Sequence, residues 1–304
     1  MTRAIVLDQS GRGGLGVARS RCADCLALIR PRIALLVLFT VAAAFILASD
    51  GAPDPVRLLH VLLGTALLVA GASALNQVFE RHSDAMMERT SDRPLPGGRL
   101  QPGTVFIVGT ALSIAGLAYL AFMLRQPAAI AAAAFALASY VFLYTPLKRT
   151  TTLNTLVGAV AGAMPPVIGW TAATNSFGPA TAILFVILFL WQVPHFLAIA
   201  WIYRDDYARA GLRMLPVRDP SGNETAQHMV GYSAALVAVS FLPAPPGSAG
   251  ALYLLAAAIL GTWFLRCAFG FFHTRSVDQA RRVLWASVIY LPALLTALFV
   301  GRVL

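Results

Sequence analysis

The sequence predicts an all-α, polytopic membrane protein: a helical bundle of about nine transmembrane helices with a cytoplasmic N-terminus. Three observations predict it. The first is composition: the 304 residues are 58% hydrophobic and only 12% charged, about half the charge of a soluble domain, and the mean hydropathy is +0.73. The second is length. Apolar stretches recur at 33–49, 56–79, 104–124, 128–145, 154–174, 178–203, 227–243, 248–270 and 283–300, each near the roughly 20 residues that span a bilayer as a helix. An open sheet leaves backbone groups unpaired in lipid, so runs this long read as helices. The third is the placement of cations. With the N-terminus inside, nineteen of the 23 Lys and Arg residues fall in inside segments, and dropping one helix scrambles that alternation.

Taken in order, residues 1–29 form a cytoplasmic tail, rich in Gly and Arg, and 30–304 form one transmembrane domain. The tail lacks the apolar core of a signal peptide. A mitochondrial targeting sequence is conceivable; a weakly ordered tail is simpler. Its Cys22-Ala-Asp-Cys25 is a lone C-x-x-C with no second pair, a weak metal or redox signal. The third and fourth stretches are joined by Arg125-Gln-Pro127 alone, which predicts a tight helical hairpin. Pro165-Pro166 breaks the fifth stretch and Pro194 the sixth, while Gly158, Gly162 and Gly169 permit close helix contact. These features either serve packing or open a wide central cavity. The net charge of +10 follows from the loop arginines, and no nucleic-acid motif is present.

The acids carry a second message. Glu80, Asp84, Glu88 and Asp92 follow the second stretch, and Asp205, Asp206, Asp219 and Glu224 follow the sixth, so eight of the 13 acids lie in two loops on one face. Topology needs arginines there and has no use for acids. Asn76, Glu80, Asp84 and Glu88 are four residues apart, and each step turns a helix face by about 40°, giving one slowly rotating polar stripe. Carboxylates with interleaved arginines suit a Mg²⁺-bound diphosphate, the carboxylates taking the metal and the arginines the remaining oxygens. The bland alternative is a solvated, self-neutralising loop. Two such loops at the mouth of an apolar bundle look like one site in two halves, and their similarity suggests an internal duplication. Lys148, the only lysine, sits on the same face in Tyr144-Thr-Pro-Leu-Lys148-Arg149. A phosphate role and a topological role both account for it.

The sixth stretch ends Trp191-Gln-Val-Pro-His195-Phe-Leu-Ala-Ile-Ala-Trp201. A polar side chain inside a spanning helix usually faces the bundle interior. His195 is suited to binding a metal or haem iron, to moving a proton, or only to hydrogen-bonding a neighbour.

Three blocks together resemble the haem-modifying branch of the UbiA-type intramembrane prenyltransferases. They are Asn76-x3-Glu80-x3-Asp84 continuing through Met87-Glu-Arg89-Thr90-x2-Arg93-Pro94; Pro165-Pro166-x2-Gly169-Trp170; and Trp191-Gln-x-Pro194-His195-Phe196 leading to Tyr203-Arg204-x-Asp206-Tyr207-x2-Ala210-Gly211. Arg30-Pro31-Arg32 and the Tyr144–Arg149 segment are similar to family features as well, and the likeness covers roughly 28–301. The third block marks the haem branch, whereas the first indicates only the superfamily. The resemblance implies that farnesyl diphosphate, haem b and water give haem O and diphosphate with Mg²⁺ as cofactor. It implies Glu80, Asp84 and Asp206 as metal ligands with Asn76 orienting them. Arg89, Arg93, Lys148 and Arg204 would hold the diphosphate. Tyr140, Tyr144, Trp191 and Phe196 would shield the allylic cation, with Tyr203 and Tyr207 also on the substrate side. His195 would hold the haem iron or assist the water.

Two positions depart from the family pattern: Glu80 stands where many relatives have Asp, and His82 where the haem branch often has an acid. Competing readings are a sister prenyltransferase with another aromatic or tetrapyrrole acceptor, and a transporter. A transporter keeps its ionisable groups near the midplane, whereas here only His195 lies deep. The lipid bilayer is the expected environment, and the Ala-, Arg- and Pro-rich usage points to a bacterial plasma membrane. Self-association and pairing with a haem A synthase both stay open.

Overall fold

The computed structural model describes residues 21–49, 51–244 and 247–303, and the regular secondary structure among them is all helical. The short α1 (Arg21–Ile29) leads into α2 (Pro31–Ala48), α3 (Pro55–Ala85) and α4 (Pro102–Leu124). Then come α5 (Pro127–Ala138), a π-helical turn (Ser139–Tyr144) and α6 (Thr145–Leu147), which form one continuous rod. The pair α7 (Asn154–Gly162) and α8 (Met164–Thr174) is followed by α9 (Pro179–Ile202). Two loop helices, α10 (Arg204–Arg209) and α11 (Leu215–Arg218), precede α12 (Asn223–Val239), α13 (Gly247–Thr274) and α14 (Val277–Val303). Among the described residues, eight helical segments are long and apolar enough to cross a bilayer. The ninth expected span, 227–243, is the 17-residue α12. The chain is therefore a multi-pass membrane protein with the expected helix order. Residues 21–29, expected as tail, form a helix: buried Asp24 receives Arg99 Nε at 2.9 Å, and Gln77 Nε2 donates to Leu28 O at 2.8 Å. Cys22 and Cys25 both lie on α1, with Cys25 exposed. The first 20 residues of the tail lie outside the described residues.

Prolines at the first or second position start most of the long helices, where the missing N–H costs nothing. Asp54 adds a side-chain cap on α3, accepting from the N–H groups of Val56 and Arg57 at 2.9 and 3.1 Å. Two residues turn α4 into α5, with Arg125 left-handed at φ 53°. Pro165-Pro166 does break the fifth span, which divides at Ala163 into α7 and α8, whereas α9 runs through Pro194.

Two apolar cores fill the bundle. One joins α9, α12, α13 and α14 around Phe264, Phe271, Tyr253 and Tyr290. The other joins α2, α3, α4, α5 and α8 around Phe45, Val41 and Leu120. Gly169 lets α8 lie directly on α2: a Cβ there would sit 2.1 Å from the Val41 carbonyl oxygen. A third, small cluster of Met87, Ala200, Ala210, Leu212 and Met214 lies under the loops after α3 and α9. It is the apolar footing that lets two distant polar loops share one platform.

Candidate active site

The polar stripe predicted on α3 exists, because α3 continues past the apolar run to Ala85 and carries its last two turns into the loop layer. Asn76 and Asp84 are buried. Glu80 lies between them, and its Oε1 is 2.6 Å from Lys148 Nζ. Burial alone would lower the pKa of Lys148, but the Glu80 carboxylate overrides it and holds the ammonium above its ordinary value. One turn on, Asp84 Oδ2 receives Arg93 Nη1 at 2.6 Å, and Thr90 Oγ1 donates to the Asp84 carbonyl at 2.9 Å, folding the loop back over the helix end. Burial first, then the charge of Arg30, lower the pKa of Arg93, with Asp84 opposing. Arg30 and Arg89 both add positive charge around Arg93, whose own partner is Asp84. That local surplus of positive charge suits an anion.

The second loop closes onto the first. Asp206 is buried and accepts the backbone N–H groups of Glu88 and Arg89 at 3.4 and 3.5 Å. Its carboxylate also pairs with Arg209, which reaches Glu88 at 3.3 Å. Arg89 lies over the Tyr203 ring at 4.8 Å and donates to Tyr207 Oη at 3.3 Å. A third loop joins them: Arg213 N donates to Lys148 O at 2.8 Å, and Asn154 Nδ2 donates to Arg213 O at 2.9 Å.

Below this layer, the π-helical turn aims aromatic rings at the mouth. Tyr140 and Tyr144 lie with ring centroids 5.5 Å apart, and Lys148 Nζ stands 4.4 Å from the Tyr144 ring. Gly158 makes room for Tyr144; a Cβ there would meet the ring at 2.6 Å. Thr145 Oγ1 donates to Tyr140 O at 2.9 Å and accepts from Asn76 Nδ2 at 3.1 Å, so the stripe on α3 is tied to the turn. Wide turns of this kind are frequent at functional sites.

The structure therefore brings together Asn76, Glu80, Asp84, Lys148, Arg93, Tyr144, Asp206, Arg89, Tyr203 and Tyr207. Arg204 is apart: it stacks on Trp201 at 4.5 Å and lies 3.8 Å from Asp205. Trp191 and His195 lie deeper in α9, stacked at 5.2 Å. His82, one of the two departures from the family pattern, is exposed. Sequence reasoning missed Arg209 and Thr145. Arg209 was legible as one more cation in an acid-bearing loop, but Thr145 had no signal, because its partner is 69 residues away.

Among the described residues no three His, Cys, Asp or Glu side chains are gathered as a ready metal cluster. Glu80, Asp84 and Asp206 each face a cation instead. The donor set nevertheless fits Mg²⁺, which prefers hard oxygen ligands and keeps several waters. Asn76 Oδ1 is a buried acceptor with no partner, one helical turn below Glu80.

The profile of the UbiA prenyltransferase family matches residues 37–291, and the chain belongs to that family. Within it, similar proteins include protoheme IX farnesyltransferases. The one from Solibacter usitatus is 46% identical over 288 residues, covering 92% of this chain and 98% of that protein. The one from Salinibacter ruber is 45% identical over 277 residues, covering 91% and 98%. Solved structures share the fold at lower identity. A digeranylgeranylglyceryl phosphate synthase superposes with a TM-score of 0.75 at 17% identity, covering 93% of this chain and 98% of that one. A UbiA homologue from Archaeoglobus fulgidus, bound to DMAPP and Mg²⁺, gives 0.68 at 17% identity over 92% and 100%.

Proposed function

We propose that this chain transfers the farnesyl group of farnesyl diphosphate to a vinyl group of haem b, with addition of water, giving haem O and diphosphate. The protein-family membership and the names of the similar proteins support this reading. The observation that carries it to this chain's residues is the lacing of the Glu80–Arg93 and Tyr203–Arg213 loops into one charged mouth over an apolar bundle. Such a mouth suits a substrate with a charged head and a long apolar tail.

In the reaction, the bond between farnesyl C1 and the diphosphate oxygen breaks, leaving an allylic cation and diphosphate. The terminal vinyl carbon of haem b attacks C1. The positive charge moves to the carbon beside the macrocycle, where water adds and loses a proton to solvent. Mg²⁺, when bound, offsets the charge that develops on the leaving diphosphate. Glu80, Asp84 and Asp206 would hold it, with Asn76 Oδ1 fixing a ligand or its water. Arg89, Arg93 and Lys148 take the diphosphate oxygens. Tyr140 and Tyr144 present ring faces to the cation and exclude water from it. Lys148 and Arg93 already occupy carboxylates, so they must exchange partners when the metal–diphosphate arrives. Arg204, held on Trp201, acts from the rim. His195 serves the haem. The tail and the charged loops lie on the cytoplasmic side of a bacterial plasma membrane, and residues 30–304 form the catalytic domain.

The test is turnover by purified protein with haem b, farnesyl diphosphate and Mg²⁺, beside Asp84→Asn. A Mg²⁺-dependent hydroxyethylfarnesyl haem, lost in the variant, is expected. Transfer of farnesyl to a different aromatic acceptor with haem b untouched would overturn the assignment of substrate.

A further inference from the structure

Ser287 of α14 holds two residues of α9 at once. Its backbone carbonyl accepts Trp191 Nε1 at 2.7 Å, and its hydroxyl oxygen lies 2.8 Å from His195 Nδ1. The same hydroxyl donates to the Leu284 carbonyl at 2.6 Å. A serine hydroxyl has one proton. Since that proton goes to Leu284, the oxygen can only accept from His195. The imidazole therefore carries its hydrogen on Nδ1, and Nε2 bears the free lone pair.

The ring is also fixed in orientation. The Trp191 indole stacks on one face, at 5.2 Å and 22°, and Phe196 meets it edge-on at 5.7 Å. Ser287 is fully buried and Trp191 is buried, but His195 keeps partial accessibility. Among the described residues Nε2 has no hydrogen-bonding partner, and it lies across the ring from the Nδ1–Ser287 contact. His195 is seven residues from the inner end of α9 at Ile202, or about 10 Å below the loop layer at 1.5 Å per residue.

We propose that Ser287 is a positioning residue that locks His195 in the Nδ1–H tautomer and presents Nε2 as a nitrogen ligand to the iron of the tetrapyrrole substrate. This rests on the haem reading above. Histidines that bind metals usually donate their second N–H to a fixed acceptor, which sets tautomer and ring orientation, and losing that acceptor typically weakens metal binding 10–100-fold. The bland alternative is an interhelical hydrogen bond that only holds α9 to α14. That alternative predicts lost stability with unchanged iron coordination.

The experiment is titration of the purified full-length chain with ferric haem b, reading affinity and the Soret band. Wild type is expected to show a nitrogen-ligated spectrum. His195→Ala loses it, and added imidazole restores it. Ser287→Ala binds haem b about 10–100-fold more weakly with a diminished ligated band, whereas Ser287→Thr, which keeps the hydroxyl, stays near wild type. If Ser287→Ala does not fold, Ser287→Cys, a far weaker acceptor of similar size, takes its place with the same two outcomes. A wild-type spectrum in His195→Ala, or unchanged affinity and spectrum in the Ser287 variant, overturns the proposal. If wild type converts haem b while its spectrum ignores His195→Ala, only this inference fails. If wild type farnesylates another acceptor and shows no saturable haem binding, the haem reading falls with it.

Discussion

Glu80 and Lys148 are 68 residues apart, yet Lys148 Nζ lies 2.6 Å from Glu80 Oε1 with both side chains largely withdrawn from solvent. The pair joins the end of α3 to the end of α6, and so joins the first acidic loop to the aromatic turn. Removing one partner of a buried ion pair strands the other, at about 3–5 kcal/mol. We expect Lys148→Met to lower unfolding stability in detergent by about 3 kcal/mol, and Glu80→Gln/Lys148→Met to recover part of it. Strictly additive losses in the double variant would show that the two side chains are not coupled.

The same pairing predicts how metal and substrate bind. Each proposed metal carboxylate is covered by a cation, so Mg²⁺ alone should bind weakly. A farnesyl thiodiphosphate analogue, which draws those cations onto its phosphates, should raise Mg²⁺ affinity at least tenfold, with the reciprocal effect of Mg²⁺ on the analogue. Arg93→Ala should weaken the analogue while strengthening Mg²⁺ alone, because Asp84 is then uncovered. Calorimetric titration reads both signs, and a weaker Mg²⁺ in that variant would rule out the exchange.

Gly158 and Gly169 separate catalysis from folding. A methyl group at Gly158 presses on the Tyr144 ring, and one at Gly169 presses on the Val41 backbone. A ring can rotate, whereas a carbonyl in a packed helix cannot. Gly158→Ala is expected to fold and to lose turnover about tenfold through a displaced ring, the equivalent of about 1.4 kcal/mol. Gly169→Ala is expected to cost about 1–3 kcal/mol or more by overpacking. Turnover and thermal unfolding of the two variants compared side by side check the contrast.

Asp219 anchors the loop that enters α12. Its Oδ2 accepts Thr225 N and Oγ1 at 2.8 and 3.0 Å, and its Oδ1 accepts Ser221 Oγ at 2.8 Å. Burial raises its pKa, but the hydrogen bonds from Thr225 and Ser221 prevail and lower it. A carboxylate lowered in the folded state contributes fully above the unfolded value of about 3.9, and loses that contribution as pH falls through the folded value. Asp219→Asn, which weakens these hydrogen bonds to a carboxylate, should therefore cost about 1 kcal/mol near neutrality and flatten the acid limb of the stability curve. A limb as steep as in wild type would place the acid sensitivity elsewhere.

Much of this was legible in the chain itself. Span order, the broken fifth span and the polar stripe on α3 all follow from period and composition, because lipid enforces helices and charge enforces sidedness. The pairing of two acid-bearing loops was legible too, since Asp206 and Glu88 have no topological use. What the sequence did not reveal are contacts set by helix packing across the bundle. Thr145 meets Asn76 and Ser287 meets His195 only because α6 lies on α3 and α14 on α9. A serine in an apolar run looks like any other small residue. Nor did three carboxylates reveal which cations would cover them, because Lys148 and Arg209 each had a sufficient explanation as a topological charge.

The π-helical turn at Ser139–Tyr144 makes the site depend on chain phase. Such a turn is an α-helix holding one residue more than it needs. Everything before it is seated in the α5 packing, and everything after it, Lys148 included, is set by that surplus residue. Deleting one residue of the turn would restore ordinary winding and swing the following segment by about 100°, carrying the ammonium away from Glu80 while leaving every span apolar and of bridging length. A relative could therefore keep its topology, its hydropathy profile and both acidic loops, and still lose the mouth through a change in phase that no count of motifs would register.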